Sequence, residues 1–427
     1  MNLTSLELFK FLIIVASFLA LAHSFAYLFE WIKLPRVIGE IGVGIIFGNT
    51  VLKNLDPEIF NFLFVSSTSS VKSIAGLQEL GLIFLMFCSG LELEWLTKRE
   101  DLKLSFTLTL FGLLIPASLG LLGFELFDFK TLSGEKGDFV SVKIIFILAV
   151  AVTSIPVISR ILMDLGLLGT KFSRVILTVA LVEDLILYGL LSALLAKYTS
   201  VISSPYSFKG FLGIEHGSLT DFFYNFGLTL IFFGFGFRFG SKIFLTIMHT
   251  RINFLRKGNI TAFVIVFLYA FVVISLFIGI APIFGALIAG MILMKEKALL
   301  KENLDLIRNF SYATFIPLYF VCVGFRIDLV DGMDWAMLAK FLLFSSVLKI
   351  GSILLGSKIC KHSWKNSFAY GISLNARGGP GIVLATLAFN AELISSYFFG
   401  TLVITAILTS LLAGYYLGIV KEDIKSI

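Results

Sequence analysis

The chain predicts an all-α polytopic membrane protein, with about thirteen transmembrane helices arranged as inverted repeats around two broken, crossing helices. Three observations carry this prediction. Hydrophobic residues fill 58% of the 427 positions and charged residues only 15%, against roughly 25% charged in soluble domains, and the mean hydropathy is +0.97. Apolar runs of about 20 residues, the length one span needs, follow one another with short polar connections. Two of those runs are interrupted near their middles, at Thr153-Ser154-Ile155-Pro156 and at Asn375-Ala376-Arg377-Gly378-Gly379-Pro380-Gly381. In lipid, such a break survives only where it is buried in protein or lines a cavity.

In order, the spans are expected at about 6–30, 35–52, 72–91, 104–126, 141–162, 172–196, 219–240, 259–278, 281–295, 309–327, 335–358, 366–390 and 396–419. The first is too long for a signal-peptide core and lacks a cleavage pattern after it, so it reads as a span. The fifth holds the hydroxyl pair Thr153 and Ser154 followed by Pro156, which removes a backbone donor. The sixth carries Glu183 and Asp184 side by side in an apolar run. The twelfth crowds three glycines, Pro380 and Arg377 into one turn. Paired broken helices in corresponding parts of two halves point to a transporter's binding site. Spans 5 and 12 lie an odd number of crossings apart and so run in opposite directions, which suits an inverted repeat with spans 4–6 answering spans 11–13.

Charge placement sets an orientation. Lys98, Arg99, Lys103, Lys171, Arg174, Arg238, Lys242, Arg256, Lys257, Lys297, Lys301, Lys358, Lys361 and Lys365 gather on one side of this partition, and far fewer basic residues on the other. The bias predicts a cytoplasmic C-terminus and an outside N-terminus, in a prokaryotic inner membrane. The net charge of +6 therefore reports topology before it suggests a nucleic-acid partner. Cys88, Cys322 and Cys360 are far apart and read as free thiols. His23, His216, His249 and His362 lie away from span centres and out of metal-ligand spacing.

One ionised group at the bilayer centre costs roughly 2.5–3.5 kcal/mol on insertion scales. Two adjacent carboxylates in span 6 therefore ask for a purpose, and the expectation is an ion or proton site with a cationic partner. Lys349, near the middle of span 11, can reach the same depth. Lys340, nearer the end of that span, reads as a structural snorkelling residue. Glu40 and Glu79 read as packing or interface residues. The competing structural readings are a plain kink at Pro156, a tight inter-helix loop at Arg377-Gly378-Gly379-Pro380, and a purely structural ion pair at Glu183 and Asp184.

Six segments in order carry a family resemblance. They are Leu34-Pro35-Arg36-Val37-Ile38-Gly39-Glu40 with Gly44 and Gly48, and Glu79-Leu80-Gly81 leading to Phe87-Cys88-Ser89-Gly90-Leu91-Glu92. Thr153-Ser154-Ile155-Pro156-Val157 and Glu183-Asp184 follow, then the segments from Ala281 to Gly290 and from Pro317 to Phe325. The Asn375-Ala376-Arg377-Gly378 turn adds to them. Together they resemble the second monovalent cation:proton antiporter family, which holds Nap-type sodium/proton antiporters and Kef-type potassium efflux proteins. The resemblance implies a sodium/proton antiporter-like fold and a homodimer in the bilayer. It implies a moving core, at approximately 104–196 and 335–419, working against dimerisation helices at approximately 6–91 and 259–327, with a linker helix at approximately 219–240. It implies Asp184 as the carboxylate that binds Na⁺ or K⁺ and the proton in turn, with Glu183 as its neighbour and Lys349 as the counter-charge. Thr153 and Ser154 would lie beside the site, with Pro156, Asn375, Arg377, Gly378 and Gly379 supporting the broken helices. A Glu-Asp pair is uncommon in the family. The chain also stops shortly after the last span, which predicts that it lacks the nucleotide-binding regulatory domain of Kef-type proteins and leaves open a separate regulator.

Elementary physics leads the same way. Neighbouring residues on a helix point about 100° apart, so one carboxylate can be ion-paired while the other binds. The sequence thus predicts a secondary active cation/proton antiporter with no cofactor, not an enzyme, exchanging Na⁺ by alternating access. The alternatives are Kef-like potassium/proton exchange and, from another class, a cation channel or uniporter on the same fold.

Overall fold

The computed structural model describes residues 4–31, 36–65, 68–92, 101–167, 169–195, 219–250, 253–330 and 332–425. Leu34, Pro35, Lys98, Arg99 and His216 lie outside them, as does the side chain of Pro156. The principal helices are α1 (Ser5–Trp31), α2 (Arg36–Phe47), α3 (Thr68–Glu92), α4 (Leu102–Gly123), α5 (Phe139–Ala151) and α6 (Ile155–Asp164). They continue as α7 (Lys171–Leu195), α8 (Leu219–His249), α9 (Ile260–Phe277), α10 (Pro282–Met294), α11 (Lys297–Ala313) and α12 (Phe315–Phe325). The last four are α13 (Trp335–Ile359), α14 (Trp364–Leu374), α15 (Gly378–Asn390) and α16 (Ser396–Lys425). Apart from one isolated bridge between Ser133 and Ile394, the described residues carry no β-structure.

Nine stretches among the described residues are long and apolar enough to cross a bilayer, the longest being Lys297–Phe325 and Ser396–Ile424. Shorter or broken helices stand where the other predicted spans were placed. They are α2, α10, the α5–α6 pair and the α14–α15 pair. The chain is a multi-pass membrane protein. Several expected boundaries move, among them the end of the second span, now at Phe47, and of the last, now at Lys425. The helix expected to end near 240 runs on to His249, because Arg238 and Lys242 can carry their charges outward on long apolar stems. The span expected to start near 309 is preceded by the polar helix α11, which meets α12 at Thr314.

The helices fall into two compact units. One holds α1 to α3 and α8 to α12. Here α2 and α12 touch backbone to backbone, since a Cβ on Gly324 would strike the Ile41 carbonyl and one on Gly44 would strike the Val321 carbonyl. Small residues at such crossings replace the hydrophobic effect, which is absent between helices in lipid, with close van der Waals contact.

The other unit holds α4 to α7, through Leu191, and α13 to α16. Three of its principal helices, α5, α13 and α14, start on side-chain caps. Asp138 accepts from Ser141 N (2.9 Å), Asp334 from Met337 N (2.9 Å) and Ser363 from Asn366 N (3.2 Å), each satisfying a donor that the first turn leaves free. Toward one end Phe124, Phe127, Phe146, Phe341 and Phe398 interlock at centroid separations of 4.9 to 5.6 Å, clamping α5, α13 and α16 together. Lys340 donates to the Leu126 carbonyl and lies over the Phe127 ring at 4.9 Å. Beyond this aromatic floor the packing turns polar.

Candidate functional site

Helix α4 buries Leu108, Gly112, Pro116, Gly120 and Gly123, a stripe at four- and three-residue intervals made mostly of small residues. Helix α13 buries Phe341, Ser345, Lys349, Ile353 and Gly356 at the same spacing. The i, i+4 rows of the two helices face each other, and Lys349 meets Gly112 along the seam. In α7, Val179, Ala180, Glu183, Asp184, Leu187 and Leu191 are buried, so both carboxylates face protein.

Lys349 is wholly buried and spends each of its three N–H donors. Glu183 Oε2 accepts at 2.8 Å, the Ala151 carbonyl at 2.7 Å and the Gly112 carbonyl at 2.9 Å. An ammonium has three donors and no acceptor, so the group is saturated. The Glu183 partner is equally buried. Removing one member of such a pair strands the other charge, which is why these pairs resist single substitution.

The break between α5 and α6 supplies this site from its backbone. In a continuous helix the Ile155 N–H would bond to the Ala151 carbonyl. Here the chain leaves the helix at Val152 (ψ 141°), and the two groups part. The Ala151 carbonyl turns to Lys349, and the Ile155 N–H lies near the Asp184 carboxylate. Asp184 thus sits at the first turn of α6, where the helix dipole favours negative charge. Its Oδ1 is buried without a hydrogen-bond partner among the described residues, as is Glu183 Oε1.

Thr153 joins the two breaks. Its Oγ1 lies 2.5 Å from Glu183 Oε2 and 2.8 Å from the Leu374 carbonyl at the end of α14. One hydroxyl proton serves two acceptors, so the Thr153 proton can follow the charge on Glu183. Ser154 Oγ accepts from Val157 N at 3.4 Å and packs against Gly378, where a Cβ would come within 2.7 Å of that oxygen. Gly378 also holds φ at +31°, a conformation L side chains avoid. Gly378→Ala is therefore expected to destabilise the protein by about 1–3 kcal/mol. Gly379→Ala, with nothing within 4 Å of its added carbon, should stay within about 0.5 kcal/mol. Thermal melting of the purified variants in detergent checks the contrast.

The opening turn of α15 is satisfied from α16, where Thr409 Oγ1 accepts from Arg377 N (3.4 Å) and Ser410 Oγ from Gly378 N (3.2 Å). The Arg377 guanidinium is buried at the side of a small cavity with Val152, Gly381 and Leu402. Its Nη2 makes long contacts to Asn375 Oδ1 (3.4 Å) and the Val150 carbonyl (3.5 Å). Asn375 Nδ2 donates to Ser346 at 3.2 Å.

Of the residues singled out in the sequence, the structure brings Glu183, Lys349 and Thr153 into one hydrogen-bonded cluster and sets Asp184 against the start of α6. Ser154 and Gly378 pack together beside it. Asn375 and Arg377 engage each other and their neighbours, and Gly379 is buried where an added Cβ would meet nothing within 4 Å. Sequence reasoning missed Gly112, Ala151 and Ile155, which act through main-chain atoms. The signal that could have found the first is the Gly112-x-x-x-Pro116 pattern in span 4.

The model of the sodium/hydrogen exchanger family, a transmembrane family, matches residues 14–422. The chain is 29% identical over 394 residues to the yeast (Saccharomyces cerevisiae) K(+)/H(+) antiporter 1, covering 90% of this chain but 43% of that protein. It is 28% identical over 401 residues to the Na(+)/H(+) antiporter NhaS4 of Synechocystis, covering 92% of this chain and 93% of that one. It is 25% identical over 391 residues to the Na(+)/H(+) antiporter of Enterococcus hirae, covering 89% and 90%. The solved structure of the sodium proton antiporter MjNhaP1 from Methanocaldococcus jannaschii superposes with a TM-score of 0.61 at 15% identity, over 99% of this chain and 100% of that one; this shows a shared fold. A match over nearly its whole length settles the family: the chain belongs to the transmembrane sodium/hydrogen exchangers.

Proposed function

We propose that the protein is a secondary active antiporter that exchanges a monovalent cation, sodium ahead of potassium, for protons by alternating access. The observation that carries this reading is the pairing of roles in α7. Glu183 is neutralised by Lys349, while Asp184 keeps a buried oxygen without a hydrogen-bond partner among the described residues. Asp184 is the carboxylate that takes the cation and the proton in turn. Because one carboxylate serves both, the two fluxes are coupled: the site crosses loaded with a proton or with a cation. Oxygens of the Thr153-Ser154 break complete the shell of a hard cation. Glu183 or Lys349 carries a second proton when their pair opens, which makes the exchange electrogenic.

The relatives support antiport as the class, and they are named for both Na(+)/H(+) and K(+)/H(+) exchange. We place the protein as a homodimer in a cell inner membrane, with its N-terminus outside and its C-terminus in the cytoplasm. In this reading the cation is cargo and no resident cofactor takes part.

The test is a proteoliposome assay of internal pH on addition of Na⁺, Li⁺ or K⁺. The expected outcome is proton movement opposed to Na⁺ and Li⁺ entry, with a smaller K⁺ response. Cation flux with no opposing proton movement would overturn antiport in favour of a channel or uniporter on the same fold.

A further inference from the structure

Lys349 is held by two main-chain carbonyls, and each comes from a place where the helical ladder is interrupted. For Ala151 the interruption is the α5–α6 break described above. For Gly112 it is a proline. The N–H that would bond to the Gly112 carbonyl in α4 belongs to residue 116, and residue 116 is Pro116, inside the helix and buried. Proline has no N–H, and its ring crowds the carbonyl four residues earlier, pushing it off the helix axis. That carbonyl accepts from Lys349 Nζ at 2.9 Å. Gly112 contributes in a second way. A Cβ there would run into Glu183 Oε1 and come within 2.8 Å of Ile353 Cδ1, so the bare Cα makes the notch in which the Glu183 carboxylate lies. The acceptor without a ladder donor and the bare Cα thus belong to the same residue, Gly112, one turn before Pro116 on the face that meets the ion pair.

We propose that Pro116 is a positioning residue for the exchange, acting through Lys349. By withholding one N–H, it turns the Gly112 carbonyl toward the Lys349 ammonium and fixes that group against Glu183. The role rests on the function proposed above, and it makes a specific demand. Pro116→Ala restores an ordinary ladder donor. A proline that served only as a kink would leave Lys349 unaffected, whereas a positioning proline would leave Lys349 one acceptor poorer.

Two measurements on the full-length protein decide between these. In proteoliposomes, Pro116→Ala is expected to move the pH of half-maximal exchange by about one unit, the shift that follows from losing one hydrogen bond to a charged group. In detergent, a melting cycle of wild type, Pro116→Ala, Lys349→Met and the double variant is expected to be non-additive. Lys349→Met should lower Tm less when Pro116 is already replaced, because part of the contact is gone. A pH midpoint that stays in place, or Tm changes that simply add, would overturn the proposal. If wild-type vesicles show no cation-driven proton movement, the antiport reading falls by itself, and the melting cycle alone decides the role of Pro116.

Discussion

Asp184→Asn is expected to reduce cation-driven proton movement to the background of protein-free vesicles while leaving the protein folded. The two halves of this expectation have separate causes. An amide cannot release or take up a proton in the working range and presents no charge to a cation, so it cannot alternate between the two cargoes. Structurally, the change is mild. The backbone donor beside Asp184 among the described residues is the Ile155 N–H, and an amide oxygen can face it equally well. Its other oxygen has no partner to lose. Melting in detergent should stay within about 1 kcal/mol of wild type. A variant that retains exchange would remove Asp184 from the mechanism. One that unfolds would make it a structural residue instead.

The neighbouring pair should behave in the opposite way. Glu183→Gln leaves the Lys349 ammonium buried among neutral acceptors with no counter-charge, and Lys349→Met leaves the Glu183 carboxylate buried with only Thr153. Each is expected to destabilise the protein by about 3–5 kcal/mol, the usual cost of stranding one buried charge. The double variant should recover most of that loss, since no uncompensated charge is left. Melting curves of the three proteins test this, and simple addition of the single effects would show that the pair contributes no coupling. Transport gives a second readout. If the charge moved per cation in Glu183→Gln equals that of wild type, the second proton does not ride on this pair, and the electrogenic scheme fails.

Part of this site was legible in the letters because it is written in side chains that lipid does not tolerate. Two carboxylates in an apolar run, a lysine in the middle of another, and two runs broken by Pro156 and by the Gly378-Gly379-Pro380 turn all stand out against a chain that is 58% hydrophobic. What could not be read there is the work of the backbone. Gly112 supplies a carbonyl and an absence of side chain, Ala151 a carbonyl, and Ile155 an N–H. These residues look like ordinary helix filling until the ladder around them is seen to be open. The expected supporting cast was likewise uneven. Gly378 is confined by Ser154 and Val157, while a Cβ added at Gly379, its neighbour in the same turn, would meet nothing within 4 Å.

Hydropathy and spacing were enough to decide that the chain is helical, that it lies in a membrane, where most of its spans fall, and that Glu183, Asp184 and Lys349 are the residues to explain. These are properties of single segments measured against a solvent, and each segment carries them independently of the others. Only the tertiary structure decided that Thr153 links the α5–α6 break to the α14 end, and that Gly112 and Ala151 provide the carbonyls around the ammonium. These depend on how α4, α7, α13 and the two broken helices are rotated about their axes when they pack. That rotation is set by small-residue stripes and aromatic contacts spread over more than two hundred positions of chain, as the 237-residue separation of Gly112 and Lys349 illustrates.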